Sequence, residues 1–298
     1  MSANASKRVG VVGLPEGWST MRLQQALTQR GATAPIIDPR RLELDLERGV
    51  VRHLGQNLAE MDGLALKKLG ASYSPHLLDR LEMLRFLAEG GLPIFSAPAR
   101  VGPMIDRLGC TLLLRQNDIP MPPTVVTEDQ DVALEALERL GPCVLKPLYT
   151  SKARGMIVLE PGNGCAAALA AFREQGHRFF YLQQMVRPGG RDLGLVFLGG
   201  QYLASYARAA RFEPVHGRPQ PGGGKYLACD PGPEVIALAA RAQAPFGLDF
   251  TCVDVAETAD GPVVFEVSAF GGFRGLLESQ GVDAAGLYAD YILEKLRS

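Results

Sequence analysis

Two carboxylates stand among apolar neighbours in residues 252–273, CVDVAETADGPVVFEVSAFGGF: Asp254 in the first half and Glu266 in the second. A carboxylate buried without a partner is costly, so each calls for a metal ion or a cationic side chain. Two runs of strand character, FTCVDVAE and GPVVFEVSA, flank the turn signal Ala259-Asp260-Gly261-Pro262, which makes the stretch a β-hairpin. Strand residues two apart face one side, so Glu266 and Ser268 share a face, and the hairpin can bring Asp254 beside them. Hard oxygen ligands of this kind suit Mg²⁺, which takes one or two carboxylates and completes its shell with water and nucleotide phosphates. A solvated hairpin face, or an acid paired with an arginine, satisfies the same pattern, and both readings stand.

Cations are placed to complement such acids. Lys146 ends the apolar run CVLKP, just before the polar loop YTSKARG of residues 149–155, where a lysine and backbone N–H groups could hold phosphate. Phosphate loops usually lean on several glycines, and this one has Gly155 alone. Lys67 and Lys68 close another strand, at the end where ligands of open α/β sheets tend to sit, although paired loop lysines are often simply solvated.

The elements that must position these residues follow from periodicity. Strand 7–13, helix 20–30 and strand 34–37 form a βαβ opening and so a small parallel sheet. Gly10 and Gly13 lack the GxGxxG spacing of a dinucleotide fingerprint. Residues 49–54 and 58–66 read as further strands, and 77–89 as a helix with apolar Leu77, Leu78, Leu81, Leu84 and Leu87. A Pro-rich joint after residues 92–98 marks a domain boundary near 98. Beyond it come helix 107–116, strand 124–127, helix 131–140, strands 143–147 and 156–160, helix 165–174, strand 178–186 and the hairpin 193–198/201–207. Residues 212–224 are rich in Pro, Gly and His without periodicity, a loop length that points to function or mobility. Helix 233–246 leads into the hairpin, and a helix over 283–296 closes the chain.

With 298 residues the chain suffices for two domains, and 31 basic against 32 acidic side chains argue against a broad nucleic-acid or membrane surface. Five scattered cysteines without a CxxC pair read as reduced, mostly buried thiols. Neither a signal-peptide run nor a membrane-spanning run is apparent, so the expected location is the cytoplasm.

Taken in order, these features resemble the ATP-grasp superfamily, and within it the RimK-type carboxylate-amine ligases that add glutamate to a protein or small-molecule acceptor. The resemblance covers nearly the whole chain. It implies an α/β ATP-grasp fold, two α+β subdomains sandwiching a nucleotide, preceded by a small parallel-sheet domain: residues 1–98 for the latter and 99–298 for the former, split into 99–182 and 183–298. The Asp106-Arg107 pair matches the family's Asp-Lys at the first helix of the nucleotide domain, with arginine keeping the cation. Lys146 matches its strand lysine, and residues 150–155, Ser151 and Gly155 included, match its phosphate loop. Gln183, Gln184, Met185 and Val186 match the hinge that reads adenine, Asp192 the acid for the ribose hydroxyls, and Arg208 the cation for phosphate and a developing acyl phosphate. The irregular loop 212–224 matches the acceptor side. Asp254, Glu266 and Ser268 match the metal set, serine standing where the family has asparagine.

The resemblance implies acyl activation. A carboxylate attacks the γ-phosphate of ATP, with Mg²⁺ or Mn²⁺ as the metal, and an amine then displaces phosphate to give an amide. Glutamate or another amino acid, and a carboxylate acceptor in a protein C-terminus or small molecule, are the implied partners, with oligomeric state left open, a homo-oligomer included. A nucleotide- or partner-binding module that has lost ligase chemistry, and a small-molecule kinase, are the alternatives.

Overall fold

The computed structural model describes residues 6–150, 153–186, 191–209 and 226–297. It begins with β1 (Val9–Val12), buried along its length as an apolar strand covered on both faces must be. Helix α1 (Trp18–Gln29) returns the chain to β2 (Ile36–Ile37), parallel to β1. A small antiparallel sheet then forms from β3 (Leu42–Asp45), β4 (Val50–His53) and β5 (Gln56–Asn57). Strand β6 (Gly63–Leu66), helix α2 (His76–Glu89) and strand β7 (Ile94–Phe95) complete a four-stranded parallel sheet of order β2-β1-β6-β7.

The single strand expected over 58–66 is broken. Asn57 accepts a hydrogen bond from the Ala59 N–H at 3.1 Å and caps a 3₁₀ turn, Leu58–Glu60, so the strand starts only at Gly63. On α2 the apolar face is Leu77, Leu81, Leu84 and Leu87, all buried, whereas Leu78 lies one step off that face and is exposed.

Past α3 (Pro98–Val101), helix α4 (Arg107–Gln116) is capped by Asp106, whose carboxylate accepts from the Gly109 N–H at 2.6 Å. Strand β8 (Thr124–Thr127), helix α5 (Gln130–Leu140), strands β9 (Cys143–Lys146) and β10 (Ile157–Leu159), helix α6 (Cys165–Glu174) and strand β11 (Phe180–Gln184) follow. The strands form an antiparallel sheet, β10-β9-β11-β8. Cys143, Leu145, Phe180 and Leu182 face α5 and α6 and share a core with Ala133, Leu137, Leu169 and Phe172. Alternation therefore turns Lys146, Tyr181 and Gln183 to the other face.

The third layer is a five-stranded antiparallel sheet, β14-β13-β12-β15-β16. It comprises β12 (Arg191–Leu198), β13 (Gln201–Ala209), β14 (Tyr226–Ala228), β15 (Phe250–Thr258) and β16 (Gly261–Ser268), with α7 (Pro233–Gln243) between β14 and β15. One face buries Leu193, Leu195, Val253 and Val255 with Val235 and Leu238 of α7, which leaves Asp192, Arg208 and Asp254 on the opposite face. After α8 (Arg274–Gln280), helix α9 (Ala284–Lys295) crosses back to α1, where Leu23, Leu27, Tyr288 and Ile292 are buried together and Arg30 pairs with Asp290 at 2.6 Å. Among the described residues no helix is long and apolar enough to cross a membrane.

Candidate active site

The hairpin expected from residues 252–273 is β15 and β16, joined by a turn at Ala259 and Asp260, and its register sets Asp254 directly opposite Glu266 and Cys252 opposite Ser268. The register shifts between Asp254 and Val255: Val255 pairs with Val264, so Phe265 is an extra residue in β16. Such a bulge re-aims a side chain. Phe265 reaches the neighbouring sheet, its ring 5.7 Å from Lys146 Nζ.

Each acid meets an arginine. Asp192 lies opposite Arg208 across β12 and β13, and Arg208 bridges two carboxylates, Asp254 through Nη2 and Asp192 through Nη1 at 3.5 Å. Burial lifts the Asp254 carboxyl above the usual carboxylate range, with the Arg208 guanidinium opposing the rise, and it lifts Asp192 likewise. Asp254 in turn pushes Arg208 further up. Glu266 pairs with Arg107 at 3.2 Å, and the Arg107 side chain is only 7 % exposed. Arg107 is the first residue of α4, behind the Asp106 cap, with its guanidinium 6.0 Å from the centre of the Tyr181 ring.

Lys146 sits on the facing sheet, 8 % exposed, and donates to Gln183 Oε1 at 2.5 Å. Burial first, and then Arg107, lower its pKa to about 7 against the pull of Glu266. Gln183 is pinned further by its amide donating to Thr124 Oγ1 at 3.1 Å. Gln184 points the other way, to the Leu140 carbonyl, and Met185 N–H donates to the Pro142 carbonyl. Lys146, Gln183, Arg107 and Glu266 thus form one group and Arg208, Asp192 and Asp254 another, joined by the Asp254–Glu266 register pair. Ser268 is two residues from Glu266, its carbonyl accepting from Thr251 Oγ1. Met185 and Val186 end the hinge, half-buried.

In the loop after β9, Thr150 Oγ1 donates to the Arg154 carbonyl, and Gly155 has φ +68°. Ala153 also adopts a left-handed φ of +56°, so a position that favours glycine is filled by alanine. Ser151 lies outside the described residues, as does the acceptor-side stretch 212–224.

The cluster has donors for a nucleotide's phosphates and acceptors for a divalent ion. Nε of Arg107 and Nε of Arg208 are buried without a hydrogen-bond partner among the described residues. Orphaned cationic donors of this kind are suited to phosphate oxygens. Glu266 gives Oε2 to its arginine and Asp254 gives Oδ1, which leaves Oε1 and Oδ2 outside those ion pairs. The donor set fits a hard cation that takes two carboxylates, although no group of three His, Cys, Asp or Glu side chains among the described residues is arranged around a metal position.

The sequence pattern of the RimK-like ATP-grasp domain matches residues 105–292, more than half of the chain. The chain belongs to the RimK-like ATP-grasp family. It is thereby an ATP-dependent ligase by class. The probable alpha-L-glutamate ligase of Alkalilimnicola ehrlichii is 27 % identical over 286 residues, covering 93 % of this chain and 92 % of the relative. The ribosomal protein bS6–L-glutamate ligase of Escherichia fergusonii is 26 % identical over 278 residues, covering 90 % and 89 %. The structure of the ATP-grasp ligase PsnB, complexed with a precursor variant, Mg and ADP, shares the fold at a TM-score of 0.76 and 19 % identity, over 97 % of this chain and 98 % of that one.

One site residue, Tyr73, lay beyond sequence reasoning. Tyr73 lines a cleft of about 20 Å³ together with Asp106, Arg107, Thr150, Phe265 and Glu266. It comes from the loop after β6, and its only signal was that position at a strand's carboxyl end. Lys67, earlier in the same loop and expected at a ligand crevice, is turned into the protein instead, 4 % exposed.

Proposed function

We propose that the chain is an ATP- and Mg²⁺-dependent carboxylate-amine ligase, with Mn²⁺ able to replace Mg²⁺, that joins an amino acid such as glutamate to a protein or small-molecule acceptor through an acyl phosphate. The observation that carries this reading is the facing pair Asp254 and Glu266, each tied to an arginine whose Nε is buried and has no hydrogen-bond partner among the described residues. Family membership, and relatives named as glutamate ligases, support the same reaction.

In this reading Lys146 faces the polyphosphate from one sheet, Arg107 from the first turn of α4 and Arg208 from the other sheet. Lys146, close to its titration point in the free protein, holds its proton once an anion arrives, so its charge is available where phosphate is transferred. Gln183 fixes the direction of the Lys146 ammonium. Asp254, Glu266 and, through water, Ser268 would hold the metal, which supplies charge neutralisation between phosphate oxygens. Residues 183–186 would receive the adenine and Asp192 the ribose. Five free thiols, four of them buried, suit a reducing compartment such as the cytoplasm.

The test is incubation with ATP, Mg²⁺, glutamate and a panel of acceptor peptides and small carboxylic acids. ADP release with an acceptor mass increased by one glutamyl residue supports the assignment. ADP release without any acylated amine, or no ADP release across the panel, would overturn it.

A further inference from the structure

Lys67 directly follows β6 of the parallel sheet, yet its side chain meets the other end of the chain. Its ammonium donates to the Gly271 carbonyl, 204 residues downstream, and lies 4.1 Å from the centre of the Phe273 ring and 5.1 Å from that of Phe250. No carboxylate pairs with it among the described residues; burial and the neighbouring Lys68 both disfavour its charge, and Cys252 is a buried thiol beside it. A cation in such a place destabilises the fold, and a methionine would fill the same volume without that cost.

What the ammonium supplies is direction. Phe250 begins β15, four residues before Asp254, and Gly271 follows the end of β16, five residues after Glu266. The two strands are knit there by the Thr251 hydroxyl on the Ser268 carbonyl at 2.7 Å. The Gly271 backbone lies so close to β15 that a Cβ would stand 3.1 Å from the Thr251 carbonyl carbon and 3.2 Å from the Cys252 nitrogen. Phe273 packs edge-on to Phe250, with ring centres 5.0 Å apart. The point where the acid-bearing hairpin opens is therefore gripped by one cation from the loop that follows β6.

We propose that Lys67 is a positioning residue for the carboxylate hairpin: by holding Gly271, Phe250 and Phe273 together it sets Asp254 and Glu266 at the separation at which both reach one cation. The inference rests on the reading of those two acids as metal ligands. Burial lowers the Lys67 pKa to about 7, so at and below that pH cation–π attraction gives the grip an angular preference that an apolar side chain lacks.

The experiment is calorimetric titration of ATP in Mg²⁺ and, separately, in EDTA, for the wild type and for Lys67→Met, Phe273→Leu and Glu266→Gln, with thermal unfolding of each. For Lys67→Met the gain in affinity conferred by Mg²⁺ is expected to shrink about tenfold, with affinity in EDTA unchanged and the unfolding midpoint not lowered. Phe273→Leu, which keeps the lysine, is expected to give a smaller loss of the same kind and decides the matter should Lys67→Met fail to fold. A purely structural role would move both affinities together or neither. If Glu266→Gln abolishes the Mg²⁺ gain while the folded Lys67 and Phe273 variants keep it, the positioning role is wrong and the metal reading survives. If Glu266→Gln leaves the gain intact, both fall.

Discussion

Arg208 serves two acids at once, and its removal would strand both. In Arg208→Met, Asp192 and Asp254 lose their common counter-charge on a half-buried sheet face. Because the three side chains keep 24–30 % of their exposure, the full penalty of a broken buried pair does not apply, and a loss of about 2 kcal/mol at pH 7 is expected in denaturant unfolding. The sign with pH follows from the raised carboxyl pKa values. Without the arginine they rise further, so lowering the pH from 7 to 5 neutralises the acids and narrows the gap to wild type. A gap that widens toward pH 5 would contradict the pairing. Lys146 carries a second pH signature. Its pKa is about 7 in the free protein and rises beside a bound polyphosphate, so ATP affinity in EDTA is highest below pH 7 and falls by up to about tenfold per unit above it. Titrations at pH 6.5, 7.5 and 8.5 check this, with Lys146→Met expected to be weak and flat.

Among the elements, the loop between β9 and β10 stores strain at Ala153. A left-handed alanine costs roughly 1 kcal/mol relative to glycine, so Ala153→Gly should raise stability by about that amount in thermal unfolding, and a destabilised variant would show that the loop needs the methyl group. The extents of β8, α4 and α6 were legible in the sequence because apolar residues recur there with period 2 or 3.6 between plain turn signals. Strand β3, half-exposed over Leu42–Asp45, and the three-residue β14 lack such contrast and were missed. The Phe265 bulge was hidden for a related reason: strict alternation along β16 cannot register an inserted residue that shows only against its partner strand. Which arginine answers which acid was equally out of reach, since Arg107 and Glu266 stand 159 residues apart and are joined by the crossing of separate layers. Lys67 was misread because the rule for strand ends describes the sheet alone, and the segment that covers it arrives from the far end of the chain.

At the scale of the whole molecule, the first sheet and the ATP-grasp layers are bound into one unit by the returning C-terminal helix. Ile292 and Tyr288 of α9 are buried against Leu23 and Leu27 of α1, and Ile292→Ala should cost about 3 kcal/mol while calorimetry still shows one transition. A separate early transition would mean that the first sheet stands apart. This linkage matters to function because the loop that follows β6 supplies Tyr73 to the cleft and Lys67 to the hairpin. The central claim is that these layers together activate a carboxylate at the expense of ATP. Its most direct test is hydroxylamine trapping with ATP, Mg²⁺ and a panel of carboxylic acids that includes glutamate and acceptor peptides. The account predicts a hydroxamate formed in step with ADP for at least one acid, and none in Arg208→Met. ATP bound but never consumed, or ADP formed with a stable phosphorylated product and no hydroxamate, would contradict it.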